Sequence, residues 1–222
     1  MKKLLKGIID FRQNSLTEYR DKFAGLVQGQ SPDALMVACC DSRVAPNVFA
    51  SLDPGDLFVL RNIGNMIPPF SCHIEDRDKC EISVAATIEF SLQCLEVKDI
   101  IICGHSNCGA IRTLMDGARA PQHAYLNSWL DFALSSYERF QHSPICPPNL
   151  SSYDHFSQIN VLQQLDNLKG YPWVAERLAK QQLRVHGWWF DLATANVYHS
   201  DPNSENFILI DVNEAARLIE QL

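Results

Sequence analysis

The chain has 222 residues, 46% hydrophobic and 20% charged, with a formal net charge of −7. That composition suits one globular domain with a sizeable core. The acidic balance speaks against nucleic acid or an anionic membrane as partner, since both need a basic face.

The opening "MKKLLKGIIDFRQNSLTEYRDKF" has a lysine-rich head, but Lys6 and Asp10 interrupt its apolar run and no small-residue cleavage site follows. It reads as an amphipathic helix over residues 3–26, not as a signal peptide. Residues 1–28 are therefore expected to form a helical arm and 29–222 a single core. "GQSPD" is a turn, and "ALMVACC" (34–40) is a continuous apolar run, as in a strand buried on both faces. A turn at Pro54-Gly55 precedes a strand near 57–61, and "EISVAATIEFSLQCLEV" (81–97) is helical. "DIIICGH" (99–105) is a second buried strand, and "SNCGAIRTLMDG" opens a helix. Residues 122–142 and 154–180 read as mainly helical, broken by the Pro-rich "SPICPPN". "LRVHGWWFDL" and "ANVYHS" suggest a hairpin, and "EAARLIEQL" a closing helix.

Strands that alternate with helices imply an α/β fold: a mostly parallel central sheet flanked by helices, with the N-terminal arm outside it. Ligands of such sheets lie beyond the carboxyl ends of the strands. No run approaches the roughly 18 apolar residues of a spanning helix, so no membrane partner and a cytoplasmic location are expected. Eight cysteines in such a chain favour thiols and metal ligands over disulfides.

Two cysteine clusters fall at strand ends: "CCDSR" after the first and "HSNC" after the third. His105 and Cys108, three apart at a strand-to-helix turn, can face one point. One more cysteine makes a Cys2His set, the three-ligand pattern of a catalytic zinc with an open fourth position. Alternation along an extended segment puts Cys39, Asp41 and Arg43 on one face and Cys40 and Ser42 on the other. Cys39 is thus the expected ligand and Cys40 a packing residue. Zinc, two thiolates and a neutral imidazole sum to zero charge, which raises the pKa of a bound water relative to a three-histidine site. Asp41 then has a role as acceptor for the proton of a zinc-bound hydroxide. Arg43 has one in holding Asp41 ionised through a bidentate pair.

"CCDSR" with "GHSNCGA" resembles the two signature motifs of the beta-class carbonic anhydrases. "GQSPDALMVACCDSRVAPN", "PGDLFVLRNIGNMIPP", "ATIEF" and "LRVHGWWFD" follow in that family's order and spacing, covering about Gln28 to Phe190. The resemblance implies reversible hydration of CO2 to bicarbonate at one Zn2+ per chain, held by Cys39, His105 and Cys108, with Asp41 and Arg43 as the catalytic dyad. It implies substrate contacts at Gln30, at Phe58 and Ile63, and at the backbone of Gly109. Met36 stands where one branch has a tryptophan, so the chain resembles the plant-like branch. Family members form dimers or dimers of dimers, with the site at the interface and an N-terminal helix reaching to the neighbour.

Phe90 and Cys94 depart from a tyrosine and a proton-shuttling histidine found in the family, which leaves proton export to buffer or water. Hydrolysis of CS2 or COS at the same site, and a non-catalytic zinc-binding module, are the competing functions. Cys72, His73 and Cys80 read as part of a solvated loop, with a second metal site or a redox pair as the alternative. His186 is expected to be a hydrogen-bonded sheet residue, Trp188 and Trp189 to pack on opposite faces, and Arg61 and Asn62 to scaffold a loop.

Overall fold

The computed structural model describes residues 1–70, 82–143 and 146–221. The second-site reading of Cys72, His73 and Cys80 lies outside them. Six strands form one sheet in the order β2-β1-β3-β4-β5-β6. These are β1 (Ala34–Cys39), β2 (Leu57–Asn62), β3 (Asp99–His105), β4 (Arg184–Asp191), β5 (Asn196–Ser200) and β6 (Phe207–Leu209). The first four pair in parallel. β5 and β6 turn back antiparallel and extend one edge. The sheet is therefore mixed; β1 to β5 fall on segments read as strands from the sequence, the β4–β5 hairpin among them, while the short β6 was not anticipated.

β1 shows why this sheet forms. All six of its residues are buried, with Leu35 and Val37 in one apolar cluster and Ala34, Met36 and Ala38 in another. Side chains of a strand alternate between faces, so both faces of β1 are covered. Each such aliphatic side chain contributes about 1.5–3 kcal/mol when removed from water. Helix α8 (Ser152–Lys169) follows α6 (Ala124–Leu130) and α7 (Leu134–Gln141) in the chain. Its Val161 and Leu165 join Leu35, Val37, Ile100 and Ile102 in the larger cluster. Ser151 caps α8 by accepting the Asp154 N–H. The stretch read as mainly helical to residue 180 is two helices: α8 stops at Lys169 and α9 (Pro172–Ala179) begins afresh. Pro172 cannot donate an N–H within a helix and suits a first turn.

Trp189 is buried and its indole donates to Ser157 of α8, while Trp188 packs against the opposite cluster. His186 bonds Asp99 at 2.8 Å, as a sheet residue should. His199 of β5 bonds Glu214 of the closing helix α10 (Val212–Ile219).

The N-terminal arm consists of α1 (Lys2–Asp10) and α2 (Leu16–Leu26), joined by one wider turn. No residue of either helix is buried, and Leu4, Leu5, Ile8, Ile9 and Phe23 are exposed. The arm touches the core through a Lys22–Asp53 ion pair and through Leu26, which lies where a side chain at Gly55 would sit.

The fit of β3 under α8 is tight. A Cβ at Gly104 would meet Val161 Cγ2 at 2.6 Å and Trp189 Cδ1 at 3.3 Å. Gly104→Ala is expected to lower stability by about 1–3 kcal/mol, the usual cost of overpacking, measured by urea denaturation. An unchanged midpoint would show that β3 and α8 can separate freely.

Candidate metal centre

Because β1 and β3 are adjacent and parallel, their carboxyl ends lie side by side. Cys39 is the last residue of β1 and His105 the last of β3. Cys108 follows as the N-terminal cap of α5 (Gly109–Met115). The return from His105 to Cys108 passes through Asn107 at φ 53, a left-handed conformation that asparagine tolerates better than most residues. One ligand atom from each of Cys39, His105 and Cys108 lies within 4.8 Å of the other two. All three residues are buried, His105 completely.

The protein has fixed the orientation of the imidazole. Its Nδ1 lies 2.8 Å from the Ser106 carbonyl, so Nδ1 carries the proton and Nε2 presents a lone pair. The His105 carbonyl accepts the Ser157 hydroxyl, which in turn accepts from Trp189. Nε2 is buried with no hydrogen-bond partner among the described residues, an expensive state for a basic nitrogen unless something electron-poor faces it. The sulfurs tell the same story. Cys39 is lowered to about 4, chiefly because Cys108 donates a hydrogen bond to it, against the opposing effect of burial. Cys108 is pushed well up by that same contact and by burial. One thiolate is accommodated and a second is not, until a cation enters between them. Two soft sulfurs and an imidazole suit zinc, and the orphaned nitrogen and closely spaced thiols fit it.

Arg43 grips Asp41 with both arms, Nε to Oδ1 at 2.9 Å and Nη2 to Oδ2 at 2.7 Å, and with its own N–H. These bonds hold the Asp41 carboxyl well below the usual carboxylate range, outweighing its partial burial. Nη2 also donates to the Asn107 carbonyl, tying the dyad to the His105–Cys108 turn. Asp41 is not a member of the three-ligand cluster found among the described residues; a metal would be held by Cys39, His105 and Cys108, with Asp41 beside it. Arg61 donates to the carbonyls of Cys39 and Asp41, the scaffolding role expected of it.

A cavity of about 340 Å³ opens over the cluster, lined by Cys39, Cys40, Asp41, Ile63, Gly109, Ala110, Thr113 and Leu126. Ile63 and Gly109 thus stand where the sequence reading put them. Cys40 does not: it is exposed and lines the cavity, so its assignment to packing is corrected. The reason is local. β1 ends at Cys39, the Cys40 N–H is taken by the Asn62 carbonyl, and the chain then turns, so strand alternation no longer applies. Gln30 and Phe58 are not at this cavity. Gln30 is exposed and precedes β1. Phe58 pairs with Leu35, whereas Cys39 pairs with Asn62. Four strand residues separate the two positions, about 13 Å. Phe90 lies beside Phe58 at 5.8 Å, and Cys94 is exposed. The sequence reading missed Leu126, whose helix carries no motif, and the buttress of Ser157, whose only signal was helical phase. A larger cavity of about 550 Å³, lined in part by Asp154, His155 and Trp189, contains none of the ligands; the donor chemistry, not the volume, marks the site.

A mixed α/β sheet that presents a Cys2His cluster and an Asp/Arg dyad at its carboxyl edge defines a zinc enzyme with an open coordination position. Residues 34–197 match the family model described as carbonic anhydrase. The chain is 30% identical over 205 residues to a carbonic anhydrase of Helicobacter pylori J99, covering 90% of each. It is 33% identical to one of Synechococcus elongatus, covering 95% of this chain and 75% of that one. Among solved structures it is similar to the beta-carbonic anhydrase CcaA, with a TM-score of 0.85 and 32% identity over 94% of this chain and 98% of that one. It is also similar to the Aspergillus fumigatus enzyme CafA, with a TM-score of 0.74 and 26% identity over 99% and 97%. The chain belongs to the carbonic anhydrase family, in its beta class, and is a zinc-dependent lyase that interconverts CO2 and bicarbonate.

The ligand assignment separates the two neighbouring cysteines. Cys39→Ser is expected to purify with little zinc, and Cys40→Ser with a full complement of one per chain, by elemental analysis of the folded proteins. Equal zinc in both would remove Cys39 from the ligand set.

Proposed function

We propose that Cys39, His105 and Cys108 hold the zinc used for CO2 hydration, and that Asp41 and Arg43 orient the nucleophile. The observation that carries this is the orphaned, buried Nε2 of His105 facing two thiols that cannot both ionise alone. Zinc held there supplies the Lewis acidity that ionises a water near neutral pH. Asp41, ionised and acceptor-only, takes a hydrogen bond from the nucleophile's O–H and so turns a lone pair toward the substrate. Arg43 occupies both carboxylate oxygens from the far side, which keeps Asp41 from swinging onto the metal. Ile63, Ala110 and Leu126 give the cavity an apolar wall suited to CO2, which carries no charge. Among the described residues of this chain, the side chains that line the cavity include no histidine; in this reading the released proton passes to solvent or buffer.

Gln30 and Phe58 act, in this reading, in the site of a second copy. Their distance from this chain's own cluster supports it, as does an arm with no buried residue and several exposed apolar ones. Two similar beta-carbonic anhydrases of Sordaria macrospora are described as tetrameric. A homodimer, or a dimer of dimers, is the assembly proposed here. A cytoplasmic location is proposed with it; the free state of the described cysteines supports that, and no described helix is long and apolar enough to cross a membrane.

Stopped-flow CO2 hydration tests the activity, with COS and CS2 assayed beside it. Activity should rise with pH through one ionisation; a flat profile between about pH 6.5 and 9 would contradict a neutral metal site. Asp41 does not supply that ionisation, because a carboxylate held below its usual range loses its charge only as pH falls through that lower value. Asp41→Asn should therefore lower kcat/KM by about a hundredfold across the whole profile without moving its midpoint, and Arg43→Lys, which keeps charge but loses the fork, by less.

Sharing of the site has its own test. Gln30→Ala and Cys39→Ser proteins, each weakly active, are unfolded together and re-paired. Half of randomly re-paired dimers are mixed and each holds one intact site, so about a quarter of wild-type activity should return. No gain on mixing would place Gln30 outside the partner's site.

A further inference from the structure

Cys39 receives a hydrogen bond that no motif announces. The Gly64 N–H donates to its sulfur at 3.4 Å, inside the protein. The loop that carries this N–H is clamped at every peptide. Asn62 closes its base, accepting the Met66 N–H at 2.7 Å and donating to the Met66 carbonyl at 2.9 Å. Gly64 sits at φ +78, and a Cβ there would meet Met66 Cε at 2.6 Å, so the conformation is reserved for glycine.

The peptide joining Ile63 to Gly64 is held at both ends. Its carbonyl, on Ile63, accepts the Trp129 indole N–H at 2.7 Å. Its N–H is the one that meets sulfur. A donor on the carbonyl draws electrons through the amide and makes its N–H a stronger donor. The next peptide is fixed as well: the Gly64 carbonyl accepts from Asn160 Nδ2 at 3.2 Å. That amide cannot flip, since its oxygen accepts from Ser136 at 2.9 Å and from Gln164 at 3.0 Å. Gln164 is oriented in turn by the Ile67 N–H, which it accepts at 2.7 Å. Asn160, Gln164 and Ser136 are all buried. So many oriented polar groups in a core serve one local result, a single N–H held against one sulfur.

We infer that Trp129, with Asn160 behind the loop, is a positioning residue for the metal centre. By aiming and polarising the Ile63–Gly64 peptide, it withdraws electron density from the Cys39 thiolate and sharpens the Lewis acidity of the metal that this thiolate holds. The inference rests on Cys39 being a ligand. Outer-shell hydrogen bonds tune metal sites in this manner, and in a site with no net charge a modest loss of sulfur donation counts for much.

The test uses the full-length protein loaded with Co(II), whose thiolate charge-transfer bands report electron donation by sulfur directly. Trp129→Phe removes the N–H and keeps an aromatic ring. Benzothienyl-alanine at position 129 keeps the ring shape and replaces only the N–H, so a folding failure of the first variant leaves the second to decide. Both should shift the sulfur-to-cobalt band to longer wavelength. In the zinc enzymes both should move the midpoint of the pH–rate profile upward, so that activity falls severalfold at neutral pH and recovers at alkaline pH. A lowered thermal midpoint with band and pH midpoint unmoved would assign Trp129 to packing alone and overturn the inference. Absence of any thiolate band in the wild-type cobalt protein would instead overturn the ligand assignment beneath it.

Discussion

Two buried sulfurs and one buried imidazole nitrogen, mutually within 4.8 Å, cannot all be in their basic forms without a cation. Burial and mutual proximity oppose the ionisation of both thiols: the contact that lowers Cys39 pushes Cys108 well up, with burial adding to the rise. A divalent ion removes the conflict at once. The architecture serves to hold this frustrated trio in place, through the parallel registry of β1 and β3, the Asn107 turn and the Ser157–His105 buttress.

Neutrality of the loaded site explains its surroundings. A metal already balanced by two thiolates acidifies water less than one held by three histidines, so the protein must recover reactivity elsewhere. In the proposed mechanism it does so geometrically. Asp41 is kept ionised and aimed by a fork that takes both of its oxygens, and the same guanidinium reaches the Asn107 carbonyl between two ligands. Arg61 holds the backbone of Cys39 and Asp41 from another side. Dyad and ligands therefore move as one body.

Much of this was legible in the residues. The apolar runs gave β1 and β3, and a parallel sheet puts their carboxyl ends at one edge, where Cys39 could meet His105 and Cys108; that the two strands are neighbours came only from the structure. Alternation chose correctly between Cys39 and Cys40 as long as the chain stayed extended. It failed one residue later, where Asn62 takes the Cys40 N–H and the strand ends, because period-two reasoning has no term for where a strand stops. β6 was missed because three residues carry too little pattern to read. The loop 62–66 was seen as scaffolding, but its clamps come from Trp129 and Asn160, more than sixty residues away in the chain. No local pattern encodes a contact of that kind.

The placement of Gln30 and Phe58 carries the last step. A small apolar substrate has little for a protein to grip, so orientation must come from the shape of the walls and from an isolated polar group. This chain supplies one wall, Ile63, Ala110 and Leu126. Its second wall, Phe58, lies four strand residues from its own ligands, and its candidate polar group, Gln30, precedes the other end of β1. β2, which carries Phe58, is an edge strand, and the helical arm beside it presents Leu4, Leu5, Ile8 and Ile9 to solvent. Isologous pairing brings the same patch of each copy to the other. An interface formed on that edge would cover the arm and complete two sites in one event, so association would be a condition of catalysis and not an addition to it.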